Sequence, residues 1–151
     1  DAMKILLAVD DSPYSEAAIE GVASRPWPPG TIIRLLSAVE HIVPPAAELW
    51  YDAGGSLERA RQELTSHYEK LIARAADQLR AKGMTVETVV RDGDPRSVIV
   101  DEAKDWSADL IVVGSHGHTG LTRWLLGSVA QSVTSHAPCS VEVVRKKAEE
   151  A

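Results

Sequence analysis

The sequence predicts a doubly wound α/β fold, in which a five-stranded parallel sheet carries helices on both faces. Apolar runs of strand length alternate along the chain with longer segments of helical spacing. A capping residue followed by proline, a common start of a helix, occurs at Ser12-Pro13 and again at Asp94-Pro95. Strands that alternate with helices pair in parallel through right-handed crossovers, which place helices on both faces of the sheet.

The first half of the chain is predicted to contain two strands and two helices in alternation. An apolar run over 3–9 is the first strand, and the helix that begins after Ser12 ends before the prolines and glycine of 26–30. Residues 31–39 form the second strand. After a long connection over 40–56, the longest helix runs to Gly83 with apolar residues at helical spacing, namely Leu57, Leu64, Tyr68, Leu71, Ala75 and Leu79.

The second half repeats the pattern and completes a Rossmann-like order. Residues 85–90 form the third strand, and the helix after Asp94 carries Val98, Ile99, Ala103 and Trp106. The fourth strand covers 109–113, the last helix 128–135, and the fifth strand 140–144 after Pro138. That final strand lies at a sheet edge in a doubly wound order.

Composition and charge exclude several functions. The chain of 151 residues, 44% of them hydrophobic, supports one domain with a sizeable core. A net charge of -6 argues against nucleic-acid binding, which needs clustered Lys and Arg. We find no apolar run long enough to cross a bilayer and no signal peptide, and the single cysteine, Cys139, fits a reducing compartment, so we expect a cytoplasmic protein.

A glycine pattern after the fourth strand predicts an anion site. Gly114 and Gly117 allow the backbone to turn and approach a ligand closely, and Gly127-Ser128 places N–H groups in the first turn of a helix, where the dipole favours negative charge. The spacing matches neither the Walker pattern nor the dinucleotide G-x-G-x-x-G. A phosphate is the expected ligand, and a loop that merely turns is the alternative.

The predicted topology brings a carboxylate to this loop. In doubly wound sheets a ligand lies beyond the carboxyl ends of the strands, where the winding reverses. The segment 8–11 after the first strand and the segment 114–120 after the fourth strand should therefore converge. Asp10 would then accept hydrogen bonds from sugar hydroxyls, whereas we interpret Asp11 as a solvated turn residue.

Three motifs together resemble the universal stress protein family over essentially the whole chain. They are the segment from Lys4 to Ser12, Gly93-Asp94-Pro95 before Ile99, and Gly114-x-x-Gly117-x9-Gly127-Ser128, which is similar to the motif of the ATP-binding branch. The resemblance implies a single nucleotide-binding domain over 3–145. Asp1 and Ala2 are interpreted as residues left from cloning before the natural start at Met3, and 146–151 as a flexible tail.

The same resemblance implies the role of each site residue. Phosphates would be held by Gly114, Gly117, Gly127 and Ser128, with backbone N–H groups of Val129 and Ala130. Asp10 would serve the ribose and adenine end, and the adenine pocket would be lined by Ala8, Ala38 and Val113. His116, between the loop glycines, is a further candidate for a phosphate hydrogen bond.

The expected function is a stress-response regulatory protein that binds an adenine nucleotide (ATP, ADP or AMP) and signals by conformation. Mg²⁺ is an optional partner, held through water by Asp10 or Asp11. We predict no direct metal site, and we interpret His116 and His118 as loop histidines that face water. A slow ATP-hydrolysing enzyme and a dimeric stress scaffold with an empty pocket are the alternatives; few cations in the loop disfavour hydrolysis.

The resemblance also implies a homodimer. We predict that it forms through the edge strand 140–144, where unpaired N–H and C=O groups invite a second copy. In the alternative, the tail 145–151 covers that edge and keeps the chain monomeric. The roles of Trp50, Tyr51 and Trp124 are not decided by the sequence.

Overall fold

A computed structural model describes residues 2–41, 55–117 and 126–147. In it, five parallel strands form one sheet in the order β3-β2-β1-β4-β5, which confirms the predicted fold class. The strands are β1 (Lys4–Ala8), β2 (Ile32–Val39), β3 (Thr85–Asp92), β4 (Leu110–Gly114) and β5 (Ser140–Val144). The helices are α1 (Pro13–Ala23), α2 (Ser56–Arg80), α3 (Pro95–Trp106) and α4 (Ser128–His136).

The sheet separates two hydrophobic clusters. One face packs against α1 and α2, through side chains such as Ile5, Leu7 and Val22. The opposite face packs against α3 and α4, through side chains such as Leu6 and Ile111. These five side chains are fully buried. Burial of each such side chain stabilises the fold by about 1.5 to 3 kcal/mol, so the central strands form a rigid base for the loops at their ends.

Both predicted helix caps are present. The Ser12 hydroxyl accepts a hydrogen bond from the Ser15 N–H at 3.3 Å, and an Asp94 carboxylate oxygen accepts one from the Arg96 N–H at 2.9 Å. Each cap is followed by proline at the first helical position, where the missing N–H would have no helical partner. The caps therefore fix where α1 and α3 begin at the carboxyl edge of the sheet.

The core contacts of α2 lie in its second half. Its buried residues are Ile72, Ala75, Ala76 and Leu79. Leu64 and Tyr68, which belong to the same helical spacing, are half-buried and line a cavity. The first half of α2 therefore extends beyond the core.

Some predictions fall outside the described residues. These are the roles of Trp50, Tyr51, His118 and Trp124. Among the residues that the structure describes, no helix has both the length and the apolar character needed to span a membrane.

Candidate functional site

A cavity of about 410 Å³ opens at the carboxyl edge of the sheet, where β1 and β4 lie side by side. The chain winds from β1 outward to β3 and then returns past β1 to β4, so the winding reverses between these two strands. The loops after β1 and β4 both line the cavity, which confirms that they converge. Ligands in doubly wound proteins bind at this position.

The structure gathers the predicted site residues around this cavity, with one exception. Those that line it are Ala8, Asp10, Ala38, Val113, Gly114, His116, Gly117, Gly127, Ser128 and Val129. Ala130 is not among the lining residues. Its side chain is 2% exposed and packs in the cluster between the sheet and α3 and α4.

Asp10 is anchored through one carboxylate oxygen. Its Oδ1 accepts hydrogen bonds from the Ser12 N–H at 2.9 Å and from the Ser15 hydroxyl at 2.8 Å. The Ser15 hydroxyl also accepts the Asp10 N–H at 2.8 Å. Oδ2 lies toward Gly117 and has no hydrogen-bond donor among the described residues. Asp10 is therefore both a turn residue and a fixed acceptor at the cavity.

The glycines of the motif have three different local roles. A Cβ on Gly114 would lie 2.8 Å from the Tyr14 carbonyl oxygen, so the bare backbone is needed for α1 to pass close to β4. A Cβ on Gly117 would lie 3.2 Å from Asp10 Oδ2, and one on Gly127 would lie 3.1 Å from His116 Cα. We expected Gly114 to be needed for a sharp bend and close ligand approach. Its φ is not in the left-handed region, so packing against Tyr14, and not a bend, explains the glycine; its close approach to a ligand stays a prediction.

The start of α4 differs from the prediction in one N–H group. Gly127 donates its N–H to the Ser115 carbonyl oxygen at 2.8 Å, so this group is not available to a ligand, contrary to our expectation. Gly127 is the N-cap and provides no side-chain cap. The N–H groups of Ser128, Val129 and Ala130 have no acceptor within the helix, because the first N–H groups of an α-helix precede its hydrogen-bonded ladder. Those of Ser128 and Val129, which line the cavity, form its donor-rich end.

His116 is buried, which corrects its interpretation as a loop histidine facing water. It is 6% exposed, its Nδ1 lies 3.0 Å from the Ser115 hydroxyl, and its ring centroid lies 4.9 Å from that of Tyr14. The Ser115 N–H donates to the Val144 carbonyl oxygen at 2.9 Å, so the glycine loop is bonded directly to the end of β5.

Several residues that line the cavity were not predicted from the sequence. They come from the ends of β2 and α1 and from the walls formed by α2 and α3, and they include Ser15, Leu36, Glu40, Leu64, Tyr68, Asp94, Pro95, Arg96 and Ile99. The capping motif Asp94-Pro95 was recognised as a helix start, but the sequence contained no signal that this start opens on the cavity.

Burial raises the pKa of the Tyr68 phenol, and the charges of Asp11 and Asp10 add to that effect. Tyr68 therefore keeps its proton at neutral pH.

Arg96 and Asp94 form an ion pair on the cavity wall. Arg96 Nε lies 3.0 Å from Oδ1 and 3.1 Å from Oδ2 of Asp94, and Nη2 lies 2.5 Å from Oδ2. The Arg96 side chain and then its backbone N–H hold the pKa of Asp94 below its ordinary value. This pair places a cation in the site that does not belong to the glycine motif.

A second cavity of about 400 Å³ has a different character. Its lining is entirely polar or charged and comes from α2 and the ends of β2 and β3; there, His41 Nε2 lies 3.0 Å from Asp92. Without an apolar wall it lacks the usual lining of a small-molecule site. Among the described residues no group of three or more His, Cys, Asp or Glu side chains could hold a metal ion.

Comparison with known proteins identifies the family. The model of the universal stress protein family matches residues 2–145. The chain belongs to the universal stress protein family. It is 34% identical over 146 residues to universal stress protein A homolog 2 of Coxiella burnetii, with 95% of this chain and 93% of that protein covered. It is 29% identical to universal stress protein YxiE of Bacillus subtilis, with 94% and 98% covered.

Solved structures share the fold. The hypothetical protein MJ0577 superposes with a TM-score of 0.83 at 27% identity, covering 97% of this chain and 98% of that one. Universal stress protein UspA from Lactobacillus plantarum gives a TM-score of 0.80 at 24% identity, with 95% and 97% covered. The similarity thus extends over the whole domain.

Proposed function

We propose that this universal stress protein is a stress-response regulator of the ATP-binding branch, which binds an adenine nucleotide and signals by conformation. One observation carries the proposal: the uncapped start of α4, the carboxylate of Asp10 and an apolar wall all face one cavity at the point where the winding reverses. Phosphate, sugar and base each need one of these three surfaces.

The start of α4 supports phosphate binding. The first N–H groups of the helix have no acceptor within it and can donate to a ligand, and the helix dipole adds partial positive charge at the same point. His116 and Gly117 line the same end of the cavity. We assign the phosphates to this end, with backbone contacts from Gly117, Ser128, Val129 and Ala130.

The remainder of the cavity suits a nucleoside. Ala8, Ala38 and Val113 offer small apolar surfaces for adenine, and Asp10 Oδ2 is an acceptor for ribose hydroxyls. The volume of about 410 Å³ falls within the range of about 300 to 1,000 Å³ that is usual for small-molecule sites. Mg²⁺ would be held through water by Asp10 or Asp11 when a polyphosphate is bound.

Structures of similar fold agree with this assignment. They include a universal stress protein in complex with cAMP, a family member from Arabidopsis thaliana with AMP bound, and one from Archaeoglobus fulgidus in complex with dAMP. These ligands share an adenine base and a phosphate. We extend adenine-nucleotide binding to this chain, with ATP, ADP or AMP as the ligand.

Replacement of Ser128 tests the phosphate assignment. Ser128→Pro removes the first N–H of α4, and proline is compatible with this position because Gly127 has φ -62° and ψ 161° and Ser128 is the first helical residue. A hydrogen bond to a charged group is worth about 1.5 to 3 kcal/mol, so ATP should bind roughly ten- to a hundredfold more weakly by calorimetry.

Ser128→Ala is the matched control, because it removes the hydroxyl and keeps the N–H. If Ser128→Pro binds ATP as tightly as Ser128→Ala while both remain folded, the start of α4 does not hold phosphate. Mass analysis of small molecules released on denaturation would show independently which nucleotide the purified protein carries.

We further propose a cytoplasmic homodimer that forms through β5. The strand lies at the edge of the sheet, beside β4, and its outward N–H and C=O groups have no strand partner in the described chain. Pairing with a two-fold copy would satisfy these groups in a closed interface.

A further inference from the structure

The cation at the start of α3 lies at the opposite end of the cavity from the start of α4. The Gly93 N–H donates to the Val39 carbonyl oxygen at 2.9 Å, which places the turn before α3 over the end of β2. The glycine loop follows β4, two strands away in the order β2-β1-β4. Adjacent strands lie about 4.8 Å apart, so the two ends of the cavity are separated by roughly 10 Å. A ligand whose phosphate lies at α4 would place its other end near Arg96.

Arg96 keeps donors for a ligand even though it is paired. Its guanidinium has five N–H groups, and the contacts with Asp94 use only the Nε–H and one hydrogen of Nη2. No residue in the described part of the chain accepts from Nη1. Both oxygens of Asp94, by contrast, are engaged, since they accept from the Arg96 N–H, Nε and Nη2. Asp94 therefore positions the guanidinium of Arg96, and the remaining N–H groups of that guanidinium can donate to a ligand.

The charge around Arg96 indicates which part of a ligand it meets. Glu40 and Asp94 line the same end of the cavity, and both act electrostatically on Arg96. Two carboxylates to one guanidinium leave this end net negative, which disfavours a second phosphate. A neutral group with hydrogen-bond acceptors fits better, and the ring nitrogens of a purine are such acceptors.

We propose that Arg96 is a base-binding residue of this site: its guanidinium, held in place by Asp94, donates hydrogen bonds to the ring nitrogens of the purine. The inference rests on the proposed nucleotide function and extends it from the glycine motif to α3. It assigns the phosphate end and the base end of the ligand to the starts of two different helices.

The test compares the affinities of three ligands for the wild type and for one variant of Arg96. Arg96→Met keeps the length of the aliphatic chain and removes the donors. Its affinities for ATP, adenosine and inorganic triphosphate are measured by calorimetry alongside the wild type. We expect ATP and adenosine to bind about tenfold more weakly and triphosphate to be unaffected, because only the first two carry the base.

Arg74→Met is the matched control, since Arg74 is an exposed arginine on α2 that does not line the cavity. It should bind all three ligands like the wild type.

Equal losses of ATP and triphosphate affinity in Arg96→Met would place the guanidinium on the phosphates and overturn the inference. If the wild type binds ATP and Arg96→Met binds it equally tightly, the inference about Arg96 is wrong and the proposed function still stands. A wild type that binds neither ATP nor adenosine would overturn the proposed function and this inference together.

Discussion

At the scale of single residues, the two oxygens of Asp10 have separate functions. Oδ1 holds the start of α1 through Ser12 and Ser15, whereas Oδ2 lies toward Gly117 at the cavity. A substitution that removes the whole carboxylate would therefore disturb the turn and the site together. A test of the ligand role has to preserve the first oxygen and change only the second.

Asp10→Asn makes this separation. The amide oxygen can replace Oδ1, and the amide nitrogen then replaces Oδ2 with a donor, so the acceptor for ribose hydroxyls is lost. We expect ATP to bind about tenfold more weakly, since such bonds to a charged group contribute about 1.5 to 3 kcal/mol. Inorganic triphosphate, which has no ribose, should bind as before in the same calorimetric experiment.

A carboxylate away from the site provides the control. Asp101 is exposed on α3 and does not line the cavity, so Asp101→Asn should leave both affinities unchanged. Equal weakening of ATP and triphosphate in Asp10→Asn would show instead that Asp10 acts on the phosphates or on a metal ion.

The sequence predicted half of the residues that line the cavity, but not the reason for each. Gly114 was predicted from its place in the motif, yet its glycine is explained by the approach of Tyr14, which depends on where α1 crosses β4. Arg96 was not predicted, because only the sheet order shows that the start of α3 shares a cavity with the start of α4. Contacts between segments that are distant in sequence left no local pattern to detect.

At the scale of elements, boundaries set by local chemistry were predicted well. Both cap-proline pairs begin helices, and β5 was predicted with its observed bounds, since a short apolar run follows Pro138. β3 is two residues longer than the predicted 85–90 because its ladder with β2 continues to the pair Val39 and Asp92. The periodicity of α2 indicated one apolar face, but not that half of it would line a cavity.

The cap of α3 makes stability depend on pH. Asp94→Ala should lower the free energy of unfolding by about 1 kcal/mol at pH 7, the usual cost of losing an N-cap. The hydrogen bond from Arg96 depresses the pKa of Asp94 in the folded state. The contribution of the charged carboxylate is therefore present above its unfolded pKa, about 3.9, and is lost as the pH falls through the lower folded value.

Urea denaturation at pH 7 and pH 3 measures this dependence. The difference between wild type and Asp94→Ala should narrow at the lower pH, while Asp94→Asn, which retains a capping oxygen, should lose less stability at pH 7. A difference that stays constant between the two pH values would show that the charge of Asp94 does not stabilise α3.

At the scale of the whole molecule, the edge strand allows a selective test of the proposed dimer. The Val144 carbonyl accepts from Ser115, so the backbone groups of Val144 face β4. Since backbone groups alternate in direction along a strand, those of Val143 face outward. Val143→Pro thus removes an outward donor without breaking the ladder to β4, and proline is tolerated on an edge strand.

We expect Val143→Pro to sediment as a monomer at tens of micromolar, where the wild type should be dimeric. Val143→Ala removes most of the side chain but keeps the N–H, so it should remain dimeric. A monomeric wild type, or a proline variant that still dimerises, would exclude β5 as the interface.

The hydrogen bond between Ser115 and Val144 joins the glycine loop to this edge strand. If nucleotide binding and dimerisation both displace that contact, the two equilibria are thermodynamically linked. Dimerisation must then change the nucleotide affinity by the same factor as nucleotide binding changes the dimerisation constant. The fraction of sites that hold nucleotide would then depend on how much of the protein the cell contains. A change in the concentration of the protein would then change the nucleotide occupancy of its own site through this one backbone hydrogen bond.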